Sequence, residues 1–199
     1  LRPRDIDVVE RDGDDLVVYA PTIPISERGD TLNLALLTAR FSSPLPDVIG
    51  VRISHHLGGV DRGPHFKLNE TEHPVEISIP EELGSGPATY TAGGLTARIA
   101  TDGNWGVEFV ADGRVLTSSM DRSVAALTTP DGKFMREQLT LGVSETLYGL
   151  GERFGPFAKN GQSVDIWNAD GGTASEHAYN NVPFYISDAG YGVFVDDTG

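Results

Sequence analysis

Short apolar runs recur along the chain, each bounded by glycine, proline, asparagine or aspartate. Residues 16–19 form a compact β-branched run. Residues 32–41 are apolar on both alternating faces, with Leu32, Leu34 and Leu36 on one and Ala35, Leu37 and Phe41 on the other. That pattern predicts a strand covered on both sides. Runs at 48–54, 75–79, 95–100, 105–111, 114–118, 134–141 and 192–196 predict further strands. Asp102-Gly103 and Asp112-Gly113 separate three of them, and Asp-Gly is a strong hairpin signal. Helical periodicity is nearly absent. The best helical signal is Thr173-Ala174-Ser175-Glu176, which fits a capping box and predicts one helical turn through about Tyr179. Many short strands without helices predict an all-β sandwich or barrel.

Composition sharpens this picture. The 24 glycines and 12 prolines are scattered, as many tight turns require. A chain of 199 residues is long enough for one all-β domain with a real core, and no linker, repeat or low-complexity tract divides it. The expectation is a single domain over residues 1–199. Gly190-Tyr191-Gly192-Val193-Phe194-Val195 reads as an interior strand only a few residues from Gly199, so a fragment cut before its last strands is expected.

The formal net charge of −14 is spread along the sequence. It repels phosphate backbones and argues against a nucleic-acid partner. There is no cysteine, which excludes disulfide scaffolds and thiolate metal sites and fits a reducing compartment. A cytoplasmic location is expected, with no membrane partner, because no apolar run approaches the ~18 residues of a membrane span. Histidines 55, 56, 65, 73 and 177 lack metal-ligand spacing, and His55 and His56 would point to opposite faces of a strand. Gly149-Leu150-Gly151-Glu152-Arg153-Phe154-Gly155 departs from the dinucleotide fingerprint, because its third glycine is one residue late. These glycines are expected to permit turns or close backbone approach beside a strand. No Gly-x-Ser-x-Gly elbow occurs.

Residues 148–191 differ from the rest. Their polar and aromatic side chains are dense and not spaced for a core. At the centre lies Trp167-Asn168-Ala169-Asp170-Gly171-Gly172-Thr173. An indole can cover the C–H face of a pyranose while Asn and Asp bond its hydroxyls. An Asx-turn leading into the capped helical turn explains the same residues.

Tyr148-Gly149-Leu150-Gly151-Glu152-Arg153-Phe154 resembles a signature of glycoside hydrolase family thirty-one. Asn160-Gly161-Gln162, Trp167-Asn168-x-Asp170-Gly171-Gly172-Thr173, Glu176, Ala178-Tyr179, Asn181-x-Pro183-Phe184-Tyr185 and Gly190-Tyr191-Gly192-Val193 resemble its α-xylosidase branch. Val17-Val18-Tyr19-Ala20, Gly50-Val51-Arg52-Ile53 and Gly63-Pro64-His65 extend the resemblance upstream.

The resemblance implies a large antiparallel β-sandwich of the galactose-mutarotase-like supersandwich type, packed on a (β/α)₈ barrel that carries both catalytic aspartates. The motifs of those aspartates do not occur here, so no catalytic residue is expected in this chain. It further implies that a sandwich loop, here 167–173, reaches the substrate pocket for an α-xylosyl oligosaccharide. Asp170 would then contact sugar hydroxyls beside Trp167. Gly171, Gly172 and Thr173 would shape the loop, Thr173 as a cap before a ligand. Glu152 and Arg153 would form an ion pair at its base. No metal or organic cofactor is implied. Two readings remain: the non-catalytic N-terminal domain of an α-xylosidase-like or α-glucosidase enzyme, or a free-standing carbohydrate-binding or mutarotase-like sandwich. A binding module should show a row of aromatics, and with only Trp105 and Trp167 as indoles this chain offers none.

Overall fold

The computed structural model describes residues 1–55, 72–168 and 178–196. Every strand pair among them is antiparallel. The only helical element described is a 3-10 turn, Arg28–Thr31. Backbone contacts divide the chain into two compact units, Leu1–Thr140 and Leu141–Gly199.

The first unit contains two meander sheets. One has β1 (Val8–Asp12), β2 (Asp15–Pro21), β3 (Leu36–Ser42) and β4 (Gly50–Ser54) in that order. The other has β5 (Val75–Ser78), β6 (Ala88–Ala92), β7 (Leu95–Ile99), β8 (Val107–Ala111) and β9 (Arg114–Ser119). A separate hairpin joins β10 (Ala125–Thr129) to β11 (Gly132–Arg136). Alternation builds the core. Leu16 opposes Phe41, Val18 opposes Ala39 and Ala20 opposes Leu37, and all six are buried. In the other sheet Tyr90 opposes Ala97 and Ile99 opposes Ala88, large against small. Residues of both sheets join one hydrophobic cluster, which makes the unit a sandwich. The buried Trp105 indole N–H donates to Ser119 Oγ at 2.8 Å, so no polar atom of the ring is stranded. Burial, followed by the charges of Asp15 and Asp14, pushes the Tyr90 phenol up to about 12.

Asp112-Gly113 forms the expected two-residue turn, with φ of 51° and 72° at its two residues and β8 and β9 paired across it. At Asp102-Gly103 the hairpin is also present, but its loop is wider and closes with Ala100 N–H donating to Gly106 O at 2.8 Å. The run at 32–41 is shorter than its pattern suggests. Asn33 adopts φ of 56°, β3 begins only at Leu36, and Leu32 is 76% exposed. Only the Leu37, Ala39 and Phe41 face is buried, because a left-handed residue cannot continue an extended strand.

The second unit is a three-stranded meander of β12 (Leu147–Gly151), β13 (Asn181–Ser187) and β14 (Tyr191–Phe194). No described helix is long and apolar enough to cross a membrane.

Candidate functional site

Strand β12 carries the glycine-rich run. Gly149, Leu150 and Gly151 all take positive φ, at 120°, 69° and 80°. The register shifts between Gly149 and Gly151, which marks a bulge. A Cβ at Gly149 would meet Phe184 O at 2.6 Å, and one at Gly151 would overlap Asn180 O. These glycines therefore allow the close backbone approach expected of them. Leu150, with its side chain, holds the same left-handed region between them, a strained position for a residue with a Cβ.

The bulge delivers Glu152 and Arg153 to the start of β13. Glu152 N–H donates to Asn180 O at 2.9 Å. Arg153 donates through Nε to Leu150 O at 3.1 Å, through Nη2 to Asp165 O at 2.9 Å, and to Asn181 Oδ1. The Glu152 carboxylate accepts from Asn180 Nδ2 at 3.0 Å. The expected ion pair between Glu152 and Arg153 does not form among the described residues. The Arg153 guanidinium is held through Nε and Nη2 by two backbone carbonyls and an amide oxygen, which turn it toward Asn181. Arg153 still braces the base, but by another route.

Asn181 is the hub. Its Nδ2 lies 2.8 Å from Trp167 O, 2.7 Å from Asn168 Oδ1 and 2.8 Å from Ala178 O. Its backbone N–H also points to Asn168 Oδ1, at 3.3 Å. Asn168 and Ala178 form a parallel bridge. One side chain thus ties the residues on either side of segment 169–177 to each other and, through Arg153, to the bulge. Asn168 has two readings, sugar contact or a local turn, and its amide oxygen is engaged locally, accepting from Asn181. Sequence reasoning quoted Asn181 only as part of a motif. The available signal was the Asn180-Asn181 pair leading a strand, where an amide can satisfy neighbouring turns.

Trp167 is 71% exposed. Asp170, Gly171 and Thr173, with the Thr173–Glu176 cap, lie outside the described residues, as do His56, His65 and His177. Among the described residues, no three His, Asp or Glu side chains gather in a way that could hold a metal.

A second polar brace sits at the other end of β12. Asn160 accepts from Leu147 N–H at 3.0 Å and donates to Glu145 O at 2.8 Å. Burial alone would raise the Glu145 carboxyl, but donors from Ser187, Tyr191 and the Gly142 N–H outweigh it and hold it below the usual glutamate range. A carboxylate fixed in its charged form is a structural anion and ill suited to be a general acid. Burial, then the charges of Tyr191 and Glu145, pushes the Tyr185 phenol up to about 12.

The sheet of this unit has one exposed apolar face. Val182, Phe184 and Ile186 alternate outward along β13, and Phe194 pairs with Phe184 across to β14. Tyr148, opposite Ile186, meets Phe157 in a tilted contact, with 5.1 Å between ring centroids.

Comparison with known proteins agrees with the motifs. Residues 38–199 match the model of the glycosyl hydrolase 31 N-terminal galactose mutarotase-like domain. The chain is 41% identical over 198 residues to the α-xylosidase XylQ of Lactiplantibacillus pentosus, covering 98% of this chain and 25% of that protein. It is 48% identical over 193 residues to an α-xylosidase of Emericella nidulans, covering 86% of this chain and 24% of that protein. The chain thus spans about a quarter of the length of these curated relatives. Among solved structures, the family 31 dextranase FjDex31A of Flavobacterium johnsoniae, complexed with glucose, superposes with a TM-score of 0.72 at 18% identity. That match covers 100% of this chain and 23% of the dextranase. The protein lmo2446 of Listeria monocytogenes gives a TM-score of 0.70 at 17% identity, over 98% of this chain and 17% of that one. At such identities these two structures establish the fold.

Proposed function

The chain belongs to the glycosyl hydrolase 31 N-terminal galactose mutarotase-like domain family, and from that premise we propose that it serves a retaining α-xylosidase as its non-catalytic N-terminal domain. The observation that carries this reading is the 41% and 48% identity to two α-xylosidases, each about four times as long as the shared stretch. The substrate is an α-xylosyl oligosaccharide, bound mainly by a catalytic barrel outside this chain. This domain adds segment 167–173 to the pocket rim. Asp170 bonds sugar hydroxyls, Trp167 covers a ring face, and Gly171 and Thr173 shape the approach. The Asn181 bracket supports that role, since it fixes where both flanks of the segment leave the frame. The apolar face of Val182, Phe184, Ile186 and Phe194 supports contact with the barrel. The parent enzyme works in the cytoplasm and needs no cofactor.

The test is Asp170→Ala in the full-length enzyme. Loss of a charged hydrogen bond of about 1.5–3 kcal/mol should lower kcat/KM roughly ten- to a hundredfold. The fall should be greater for an oligosaccharide than for a nitrophenyl α-xyloside, whose leaving group carries no hydroxyls. Unchanged kinetics on both substrates, with folding intact, would remove Asp170 from the site.

A further inference from the structure

An open groove of about 580 Å³ lies within the first unit, between the chain's first residues and the β10–β11 hairpin. Its walls include Arg2, Arg4 and Arg136 together with Ile23, Pro24 and Leu127, and no acidic residue lines it. Backbone bonds fix its shape. Ala126 N–H donates to Leu1 O at 2.8 Å, and Arg4 N–H donates to Pro21 O at 2.8 Å. All three arginines are half-buried. Arg2 and Arg4 have no ion pair or side-chain hydrogen bond among the described residues. Arg136 donates through Nη2 to Arg122 O, but its Nε is buried and unpartnered. Glu137, its neighbour in sequence, hydrogen-bonds Ser119 and acts on Arg136 through its charge alone.

The contrast with Arg40 is instructive. That side chain is equally half-buried, yet it holds Asp15 at 2.7 Å and Asp12 at 2.8 Å. In a chain of net charge −14, counter-ions are abundant. Arg2 and Arg4, half-buried without a counter-ion among the described residues, line the same groove as Arg136 with its buried unpaired donor, an arrangement that an incoming anion would complete. Guanidinium forks match the two oxygens of a carboxylate or phosphate. Ile23, Pro24 and Leu127 supply an apolar wall for a compact C–H surface, and the volume suits one small solute.

We propose that this groove is a binding site for a small organic oxyanion: a carboxylate or phosphate carried on a compact ring.

The experiment is an NMR titration of the 199-residue chain with three ligands sharing one ring: glucuronate, glucose 6-phosphate and uncharged glucose. The Arg136 Nε–H and the amides of Ile23 and Leu127 are followed. Saturable shifts with either anion and none with glucose support the site, and the stronger anion identifies carboxylate or phosphate as the ligand chemistry. Arg2→Gln combined with Arg4→Gln, which leaves the Arg136 bond to Arg122 in place, should weaken binding at least about tenfold with unfolding unchanged. Raising salt from about 50 to 300 mM should weaken it further. Equal shifts with glucose, no saturation with either anion, or undiminished binding by the double variant would each overturn the proposal.

Discussion

The two units of this chain are stabilised by different means. In residues 1–140, sheet faces close on one another and bury Leu16, Val18, Leu37, Phe41, Tyr90, Ile99 and Trp105 almost completely. In residues 141–199, the described residues that reach comparable burial are Lys159, Ala178 and Ser187, and none is a large hydrophobe. Side-chain brackets take the place of a core there: Asn160 and Glu145 at one end of β12, Arg153 and Asn181 at the other. Apolar side chains in that unit face outward, with Phe154, Phe157, Trp167 and Phe194 all more than half exposed. A sealed core suits a scaffold. A hydrogen-bonded frame with uncovered aromatics suits a surface that is completed by contact with something else.

The largest test of this contrast compares two phenylalanines. Phe41→Ala should destabilise the chain by about 3–5 kcal/mol in denaturant unfolding, as expected for a cavity in a closed core. Phe194→Ala should cost less than about 1 kcal/mol in the same assay, because its ring is largely in water already. Comparable losses would mean that the second unit has a core after all. An intermediate effect is expected from Asn181→Ala, which removes the hub of one bracket at a cost of about 1–3 kcal/mol. Hydrogen exchange should accelerate at the Glu152 amide and around Trp167, while the amide of Tyr90 keeps its protection. A uniform acceleration throughout the chain would show that the two units do not differ in what holds them. The smallest effect is one of pH. The Glu145 carboxyl is held below its ordinary range, so its contribution is complete above that range and is lost as the pH falls through the folded-state value. Between about pH 6 and pH 3, the urea midpoint should drop further for the native chain than for Glu145→Gln. Parallel curves would show that this carboxylate carries no stability.

Much of the first unit can be read from the sequence because its physics is local. Alternating apolar residues at 37, 39 and 41 and an Asp-Gly step at 112–113 each announce their own geometry. Strands β6 and β10 are less visible. Ala88-Thr89-Tyr90-Thr91-Ala92 buries Ala88, Tyr90 and Ala92 but is too small and polar to register as an apolar run. The overreading at 32–36 has the same origin in reverse, since leucines alone did not reveal that Asn33 would turn left-handed. In the second unit, β12 was legible only as a glycine run lying beside a strand. Of its braces only Arg153 is anticipated, through the family resemblance and with Glu152 as the wrong partner. Arg153 meets Asn181 across 28 residues of sequence, and no periodicity encodes such a meeting. The family motifs located the segment, whereas the role of Asn181 within it emerges only from its three acceptors.

That bracket has an evolutionary corollary. Asn168 and Ala178 leave the frame side by side, so the nine residues between them in sequence begin and end at one fixed doorway. The cost of closing an insert of different length grows only with the logarithm of its size, about 0.6 kcal/mol for each doubling. The strands need not be renegotiated when the content of the insert changes. A lineage can therefore exchange that stretch like a cartridge, and a protein engineer can graft into the same position.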